Sequence, residues 1–204
     1  MLTKIIQDLT YRSLQRKRLQ HLKTFLHRGY KMSNITWAPI IPLIGGQMLG
    51  AEKAFGKPPE AIYSYADFEG NDSHYVNYQQ NVKGRDIQYK MIPESSSRHI
   101  SVISGTPPCA ALSQLNTGKT EAAKGAKCEK NEWMYEVFKE GINRFSAKAI
   151  VVENAPALFT KKGKEVADNL FDICSKAGYS LTLYKTSTKY HGIPQARDRC
   201  FAIG

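Results

Sequence analysis

Cys109 is the residue of this chain whose sequence context most favours a role in a chemical reaction. It follows the apolar run 100–104 and the turn Thr106-Pro107-Pro108. Because two consecutive prolines fix φ and remove two backbone donors, the chain leaving a strand here can neither continue in a central sheet nor begin a helix at once. A thiol held at the end of a strand could act as a nucleophile, and the alternative is a small buried side chain.

Glu153 and Asn154 end a second apolar run, 149–152. A carboxylate partly buried at the mouth of a sheet tends to have a raised pKa and could act as an acid near neutral pH. The alternative is a solvated loop carboxylate.

Short apolar runs that alternate with helical patterns from Ile35 onward predict an α/β fold with a doubly wound, mostly parallel sheet. The predicted strands are 40–44, 61–65, 100–104, 149–153, 181–184 and 200–203. In open sheets of this kind, ligand-binding groups gather beyond the carboxyl ends of the strands. We therefore expect one site built from residues that follow four of these strands, namely Gly45-Gly46, Asp67-Phe68-Glu69, Cys109 and Glu153-Asn154.

Two apolar stripes at helical spacing predict core helices, one with Met134, Val137, Phe138, Ile142 and Phe145, the other with Val166, Leu170, Ile173, Cys174 and Ala177. Residues 1–34 are basic with apolar residues at helical spacing, and we predict a basic helical segment there. Its cations could meet nucleic acid or form a solvated face. Residues 116–131 are rich in Gly, Ala, Lys and Thr, which predicts a mobile loop whose lysines suit phosphate contact.

Composition limits the class of protein. A chain of 204 residues with 42% hydrophobic content is long enough for one main domain. The net charge of +11 favours a polyanionic partner, because clustered cations displace counterions from phosphates. The four cysteines show no zinc-ligand spacing, so we expect no metal. We find no signal peptide and no apolar run long enough to span a membrane, so we expect a cytoplasmic protein without membrane contact.

Three motifs together resemble the DNA cytosine-5 methyltransferases. They are Pro107-Pro108-Cys109 with Ser113, then Glu153-Asn154, then the run 190–199 that reads Tyr-His-Gly-Ile-Pro-Gln-Ala-Arg-Asp-Arg. Their order and approximate spacing are those of the family. The resemblance covers residues 35–204 and implies the N-terminal, catalytic part of such an enzyme, with a sheet of the S-adenosylmethionine-dependent methyltransferase type.

The resemblance also implies a cofactor site for S-adenosylmethionine. In the family, the turn that matches residues 41–46 binds this cofactor, and an acid after the second strand holds the ribose hydroxyls. The residues that match the cofactor contacts are Ile44, Gly45, Gly46, Asp67, Phe68, Asp86, Ile87 and Pro107. An ungapped alignment would instead place Ala66 at the acidic position. Leu43 stands where the family has a glycine.

The same resemblance implies a covalent mechanism on a flipped cytosine. Cys109 would add to C6 while Glu153 contacts N3, and Arg197 and Arg199 would orient the base and the catalytic side chains. Ser113, Asn154 and Gln195 match positions on the substrate side. Loss of the C5 proton and of the thiol would then restore the aromatic ring.

Duplex DNA is the implied partner, in a role such as restriction and modification near the nucleoid of a bacterium or phage-infected cell, and RNA stays open as a substrate. The family continues beyond the arginine motif into a target-recognition region that these 204 residues do not contain. We therefore expect a second polypeptide to supply that region, or a chain that is inactive alone. The alternative function is that of a catalytically degraded relative that binds DNA or a partner.

Overall fold

The computed structural model describes residues 34–93, 97–109, 112 and 126–204. Within them, seven strands form one sheet in the order β3-β2-β1-β4-β5-β7-β6. The strands are β1 (Trp37–Ile40), β2 (Ala61–Tyr65), β3 (Gln88–Ile92), β4 (Val102–Gly105), β5 (Ala149–Asn154), β6 (Thr182–Ser187) and β7 (Asp198–Ile203). Among these seven strands, β7 alone runs in the direction opposite to the other six. The mostly parallel sheet is therefore confirmed, and the strand order reverses between β1 and β4.

Four of the six predicted strands lie within two residues of their predicted bounds, the strand predicted at 181–184 extends three residues further as β6, and the first strand was misplaced. The first strand ends at Ile40 because Ile41 and Leu43 turn the chain with φ of 53° and 50°. Pro39 has no N–H to give, and only Ile40 is paired with β2, at Tyr63. Strand β3 was not predicted, because it is a partly exposed edge strand without a continuous apolar run.

Helices cover both faces of the sheet. They are α1 (Gly46–Phe55), α2 (Asn71–Asn77), α3 (Glu132–Asn143) and α4 (Lys164–Lys176), with a π-helical turn, Tyr78–Val82, after α2. Alternation along the strands divides the core: Trp37 and Ile62 pack with Met48 of α1, whereas Ile40 and Tyr63 belong to the larger cluster under α3 and α4. This arrangement confirms the doubly wound class.

The two predicted apolar stripes are α3 and α4. They bury Met134, Val137 and Phe138 on one helix and Val166, Leu170 and Cys174 on the other. Burial raises the pKa of the Cys174 thiol to about 11, as expected of a core cysteine. Helices α1 and α2 were not predicted, because α2 has only seven residues and α1 contains two glycines, which are poor helix formers.

Two predictions fall largely outside the described residues. The basic helical segment 1–34 lies outside them except for Asn34, and so does the predicted loop 116–131 up to residue 125. The last residues of that loop include a 3-10 turn, Glu129–Asn131, that leads directly into α3. Among the helices in the described part of the chain, none is both long and apolar enough to cross a membrane.

Candidate active site

The turn after β1 is fixed to the two neighbouring strands. The N–H of Ile41 donates to the Tyr63 carbonyl of β2, and the Ile41 carbonyl accepts from both the N–H and the Oγ1 of Thr106. Ile41 is fully buried although a β-branched residue at positive φ is strained. These contacts hold the turn at the switch point of the sheet, where parallel sheets bind ligands.

Gly45 occupies a position in this turn where a side chain would clash. It has φ of 87° at the N-terminus of α1, and a Cβ there would lie 2.2 Å from Asn77 Oδ1. Asn77 is fully buried and accepts from Asn81 Nδ2 at 3.1 Å, so it has little room to move. The glycine therefore lets the turn and the end of α2 approach each other closely.

We expect Gly45→Ala to lower the free energy of unfolding by about 3 kcal/mol, from the left-handed backbone and the contact with Asn77 together. Gly46→Ala is the matched control, because a Cβ at Gly46 meets no atom within 4 Å. Its free energy of unfolding should stay unchanged or rise by up to about 1 kcal/mol. Urea titration of both variants measures the difference, and equal stability would contradict the assigned turn geometry.

The segment after β2 separates an exposed acid from a buried ring. Asp67 is exposed, while Phe68 is 3% exposed and stacks on His74 with ring centroids 5.1 Å apart. Trp133 of α3 meets the Phe68 ring edge-on at 5.0 Å. Glu69 is paired with Lys130 at 3.3 Å. Both carboxylates of this segment are therefore exposed, and Asp67 differs from Glu69 in that no ion pair is found for it within the described residues.

Cys109 lies beyond the carboxyl end of β4. Pro107 before it is buried, and the Cys109 carbonyl accepts from the N–H of Leu112 at 3.1 Å. Cys109 is partly exposed, whereas Cys128, Cys174 and Cys200 are buried, and all four are free thiols. Cys109 packs partly against the core and is the most exposed of the four cysteines.

Glu153 and Arg199 form an ion pair at the same edge of the sheet. Glu153 Oε1 lies 2.5 Å from Arg199 Nε, and about a fifth of each side chain is exposed. In the antiparallel register Glu153 is opposite Phe201, which makes Arg199 its diagonal neighbour on the same face. Burial raises the pKa of Glu153, and the charges of Arg199 and Arg197 oppose part of that rise.

Asn154 and the β6–β7 turn complete this part of the edge. Asn154 is 1% exposed and its Oδ1 accepts from the N–H of Ala155 at 2.8 Å, while its Nδ2 has no partner among the described residues. In the turn, the N–H of Arg197 donates to Thr188 Oγ1, and Thr188 N–H donates to the Arg197 carbonyl. Gln195 and Arg197 are exposed.

A sequence model of one family matches most of this chain. It is the family described as C-5 cytosine-specific DNA methylase, and it matches residues 40–204. The chain belongs to this family. The matched segment contains every strand after β1 together with Cys109, Glu153 and Arg199. The resemblance read from the three sequence motifs is therefore confirmed at the level of the family.

Two curated relatives of this chain are bacterial type II methyltransferases. M.NgoPII of Neisseria gonorrhoeae is 26% identical over 166 residues, which cover 78% of this chain and 45% of the relative. M.Bpa9945I of Bacillus paralicheniformis is 26% identical over 119 residues, or 54% of this chain and 26% of the relative. The chain spans less than half the length of these relatives.

Solved structures share the fold of the family. A prophage-encoded DNA modification methyltransferase of E. coli superposes with a TM-score of 0.58 at 18% identity, over 84% of this chain and 46% of that one. The Entamoeba histolytica methyltransferase EhMeth gives 0.56 at 16% identity, over 83% and 52%. At these identities the likeness concerns the fold.

The described residues bring most of the predicted site to one edge of the sheet, with two exceptions. Asp86 and Ile87 precede β3, which runs parallel to β2, so they lie at the amino end of the sheet. Ile87 is 5% exposed and packs with Trp37 and Met48. The interpretation of this pair as adenine contacts does not fit the fold. Ser113 lies outside the described residues.

Some residues at this edge escaped the sequence analysis. His74, Asn71 and Tyr89 form a hydrogen-bonded group beside Phe68, and Trp133 covers the edge of that ring. No motif marks them, because their partners lie on three different elements. The close approach of Leu43 to Gly70 was also not predicted, since Leu43 Cδ2 lies 3.3 Å from the position of a Gly70 Cβ.

Proposed function

We propose that this chain is the catalytic part of an S-adenosylmethionine-dependent enzyme that methylates C5 of cytosine in duplex DNA through a covalent Cys109 adduct. One observation carries the proposal. A partly exposed thiol follows β4, and the Glu153–Arg199 pair ends the neighbouring β5, so a nucleophile and a proton donor share one edge of the sheet.

The residues at the switch point fit the cofactor. The turn 41–46 leads into the N-terminus of α1, Gly45 keeps its backbone free of a side chain, and the Asp67 carboxylate is exposed at the end of β2. We assign Ile44, Gly45, Gly46 and Asp67 to S-adenosylmethionine, with Pro107 beside them. When bound, this cofactor supplies an electrophilic methyl group.

The chain's own residues then activate the base. The Cys109 thiolate forms a bond to C6, and the electrons of the C5–C6 double bond move toward N3, where Glu153 gives a proton. C5 becomes nucleophilic as a result and can take the methyl group. After the transfer the N3 proton returns to Glu153. Removal of the C5 proton by water, with cleavage of the S–C6 bond, then restores the ring and regenerates the thiolate.

Burial of Glu153 supports its role as the proton donor. An ordinary surface carboxylate holds no proton at neutral pH, whereas burial shifts the pKa of Glu153 upward. Arg199 fixes the carboxyl group by the 2.5 Å contact and keeps it at the edge of the sheet. Arg197 is exposed and can reach a phosphate or the base.

The nucleic-acid partner is supported by charge. The chain carries a net charge of +11, and the turn after β5 exposes Lys161 and Lys162, for which no ion pair is found within the described residues. Cations near the site would contact the phosphates of a flipped nucleotide. We propose that a second polypeptide, or a further segment of the same polypeptide, supplies target recognition. RNA is the alternative substrate.

A trapping experiment tests the proposal. Duplex DNA in which every cytosine is 5-fluorocytosine removes the need to know the target sequence, and fluorine at C5 blocks the elimination step. Incubation with labelled S-adenosylmethionine should give a labelled protein–DNA adduct that survives denaturation. DNA binding without an adduct would favour a catalytically degraded relative that only binds DNA. An adduct that forms only with matched 5-fluorocytosine RNA would indicate that RNA is the substrate.

Leu43 provides a separate prediction about the cofactor. Its backbone has φ of 50°, and its side chain reaches toward Gly70 between the turns after β1 and β2. We expect Leu43→Ala and Leu43→Gly to bind S-adenosylhomocysteine about tenfold more tightly, because both remove that side chain, a change worth about 1.4 kcal/mol. Only the glycine also relieves the backbone, so it should be about 1 kcal/mol more stable than the alanine variant.

Calorimetric titration and urea unfolding of these two variants separate the two effects. Leu49→Ala on the exposed face of α1 serves as a control for loss of a leucine side chain and should leave the affinity unchanged. Weaker binding in both Leu43 variants would mean that Leu43 contacts the cofactor favourably instead of obstructing it.

A further inference from the structure

His74 of α2 is a buried imidazole with one nitrogen engaged. It is 1% exposed, its ring stacks on Phe68 at an interplanar angle of 22°, and its Nδ1 lies 3.1 Å from Tyr89 Oη of β3. Burial lowers the pKa of His74 to about 4, so the ring is neutral at pH 7. Nε2 is buried without a partner among the described residues.

The hydrogen bonds around Asn71 indicate which atom of each pair is the donor. Asn71 Nδ2 donates to the Tyr65 carbonyl at 2.9 Å, so Asn71 Oδ1 is the acceptor. Ser64 Oγ and Tyr89 Oη both donate to that oxygen, at 2.8 and 3.2 Å. With the single hydroxyl proton of Tyr89 given to Asn71 Oδ1, the Tyr89 oxygen accepts from His74 Nδ1–H. We therefore assign the Nδ1–H tautomer to the neutral ring.

This group joins three of the elements around the segment 66–70. Ser64 belongs to β2, Tyr89 to β3, and Asn71 and His74 to α2. Asn71 Nδ2 also lies 3.4 Å from the Ala66 carbonyl, and the stacked ring holds Phe68 from one side. In a buried site each unmade hydrogen bond is costly, so loss of one member disturbs the others.

We propose that His74 is a positioning residue for the cofactor site: through Tyr89 and Asn71, its Nδ1–H tautomer holds the segment 66–70 so that Asp67 faces the ribose of S-adenosylmethionine. The inference rests on the proposed function, because it assigns Asp67 to that cofactor. It adds a role for three residues that none of the sequence motifs includes.

Tyr89→Phe tests the relay, because it removes one hydroxyl and keeps the ring. Tyr135→Phe is the matched control, since the Tyr135 hydroxyl accepts from Asn169 Nδ2 at 3.1 Å between α3 and α4, on the other face of the sheet. We expect Tyr89→Phe to weaken binding of S-adenosylhomocysteine about tenfold, the effect of one buried hydrogen bond. Tyr135→Phe should leave this affinity unchanged.

Hydrogen exchange gives a readout in the free protein. The N–H groups of Phe68 and Asn71 donate to the carbonyls of Tyr65 and Phe68, both at 3.2 Å. Their exchange should be about tenfold faster in Tyr89→Phe than in Tyr135→Phe, after correction for global stability. Equal exchange and equal affinity in the two variants would overturn the inference.

Substitutions of His74 distinguish the two ring nitrogens. Asn places an amide N–H near the position of Nδ1, while Gln places it near that of Nε2, so His74→Asn should keep more affinity than His74→Gln. Nitrogen NMR of the wild-type ring should show a protonated Nδ1, and a protonated Nε2 would contradict the relay.

A wild-type chain that binds no S-adenosylhomocysteine would refute the proposed function and the role of His74 with it. Wild-type binding without a Tyr89 effect would refute this inference alone.

Discussion

Cys109→Ala is expected to abolish both methyl transfer and the 5-fluorocytosine adduct, with a loss in rate of at least about 10³-fold. No other cysteine can replace it, because Cys128, Cys174 and Cys200 are at most 5% exposed. The fold should be retained, since Cys109 is only partly buried and the turn before it is fixed by Thr106 to Ile41. Denaturing electrophoresis of the trapped complex measures the adduct directly.

Cys128→Ala is the control for Cys109→Ala. This thiol is 5% exposed, so its removal should cost about 1 kcal/mol of stability and leave the adduct in place. An adduct that survives in Cys109→Ala would refute the nucleophile assignment. Retained DNA affinity in Cys109→Ala with no transfer would distinguish a lost chemical step from a lost binding surface.

Glu153→Gln is expected to slow methyl transfer by about 10² to 10⁴-fold, the usual range for a lost general acid. The amide keeps the shape of the side chain but has no proton to give to N3, and it leaves Arg199 without its charged partner. Single-turnover rates at saturating DNA measure the effect on the chemical step. Unchanged rates would show that N3 is protonated by another group.

Glu140→Gln is the matched control for Glu153→Gln. Glu140 pairs with Arg144 on α3 at the same 2.5 Å, with both side chains 18% exposed. That variant loses an ion pair of equal length and similar burial away from Cys109, so transfer should be unaffected. A similar loss of rate in both variants would attribute the effect to stability rather than to catalysis.

Stability against pH gives a second readout for Glu153. Burial makes the folded pKa higher than the unfolded one, so the folded state binds this proton more tightly. The resulting stabilisation is complete below the unfolded pKa and is lost as pH rises through the folded pKa. Wild type should therefore gain stability relative to Glu153→Gln as pH falls from neutral through the acidic range. The opposite slope would mean that the attraction of Arg199 outweighs burial.

The fold class and the central residues of the candidate site could be predicted from the sequence alone. Apolar runs of strand length and two apolar helical stripes are local patterns, and they located β2, β4, β5, β7, α3 and α4 closely. Cys109 and Glu153 could be singled out because each follows such a run, and Arg199 because the run 190–199 resembles a motif of the family. The carboxyl ends of parallel strands meet at one edge, which brings distant residues together.

The features that depend on neighbours in space could be seen only in the tertiary structure. The strand β3 exists through its pairing with β2, and that pairing places Asp86 at the end of the sheet away from Asp67. The antiparallel direction of β7 makes Arg199 the diagonal neighbour of Glu153. The tautomer of His74 follows from donors on three elements, whose mutual positions no local pattern encodes.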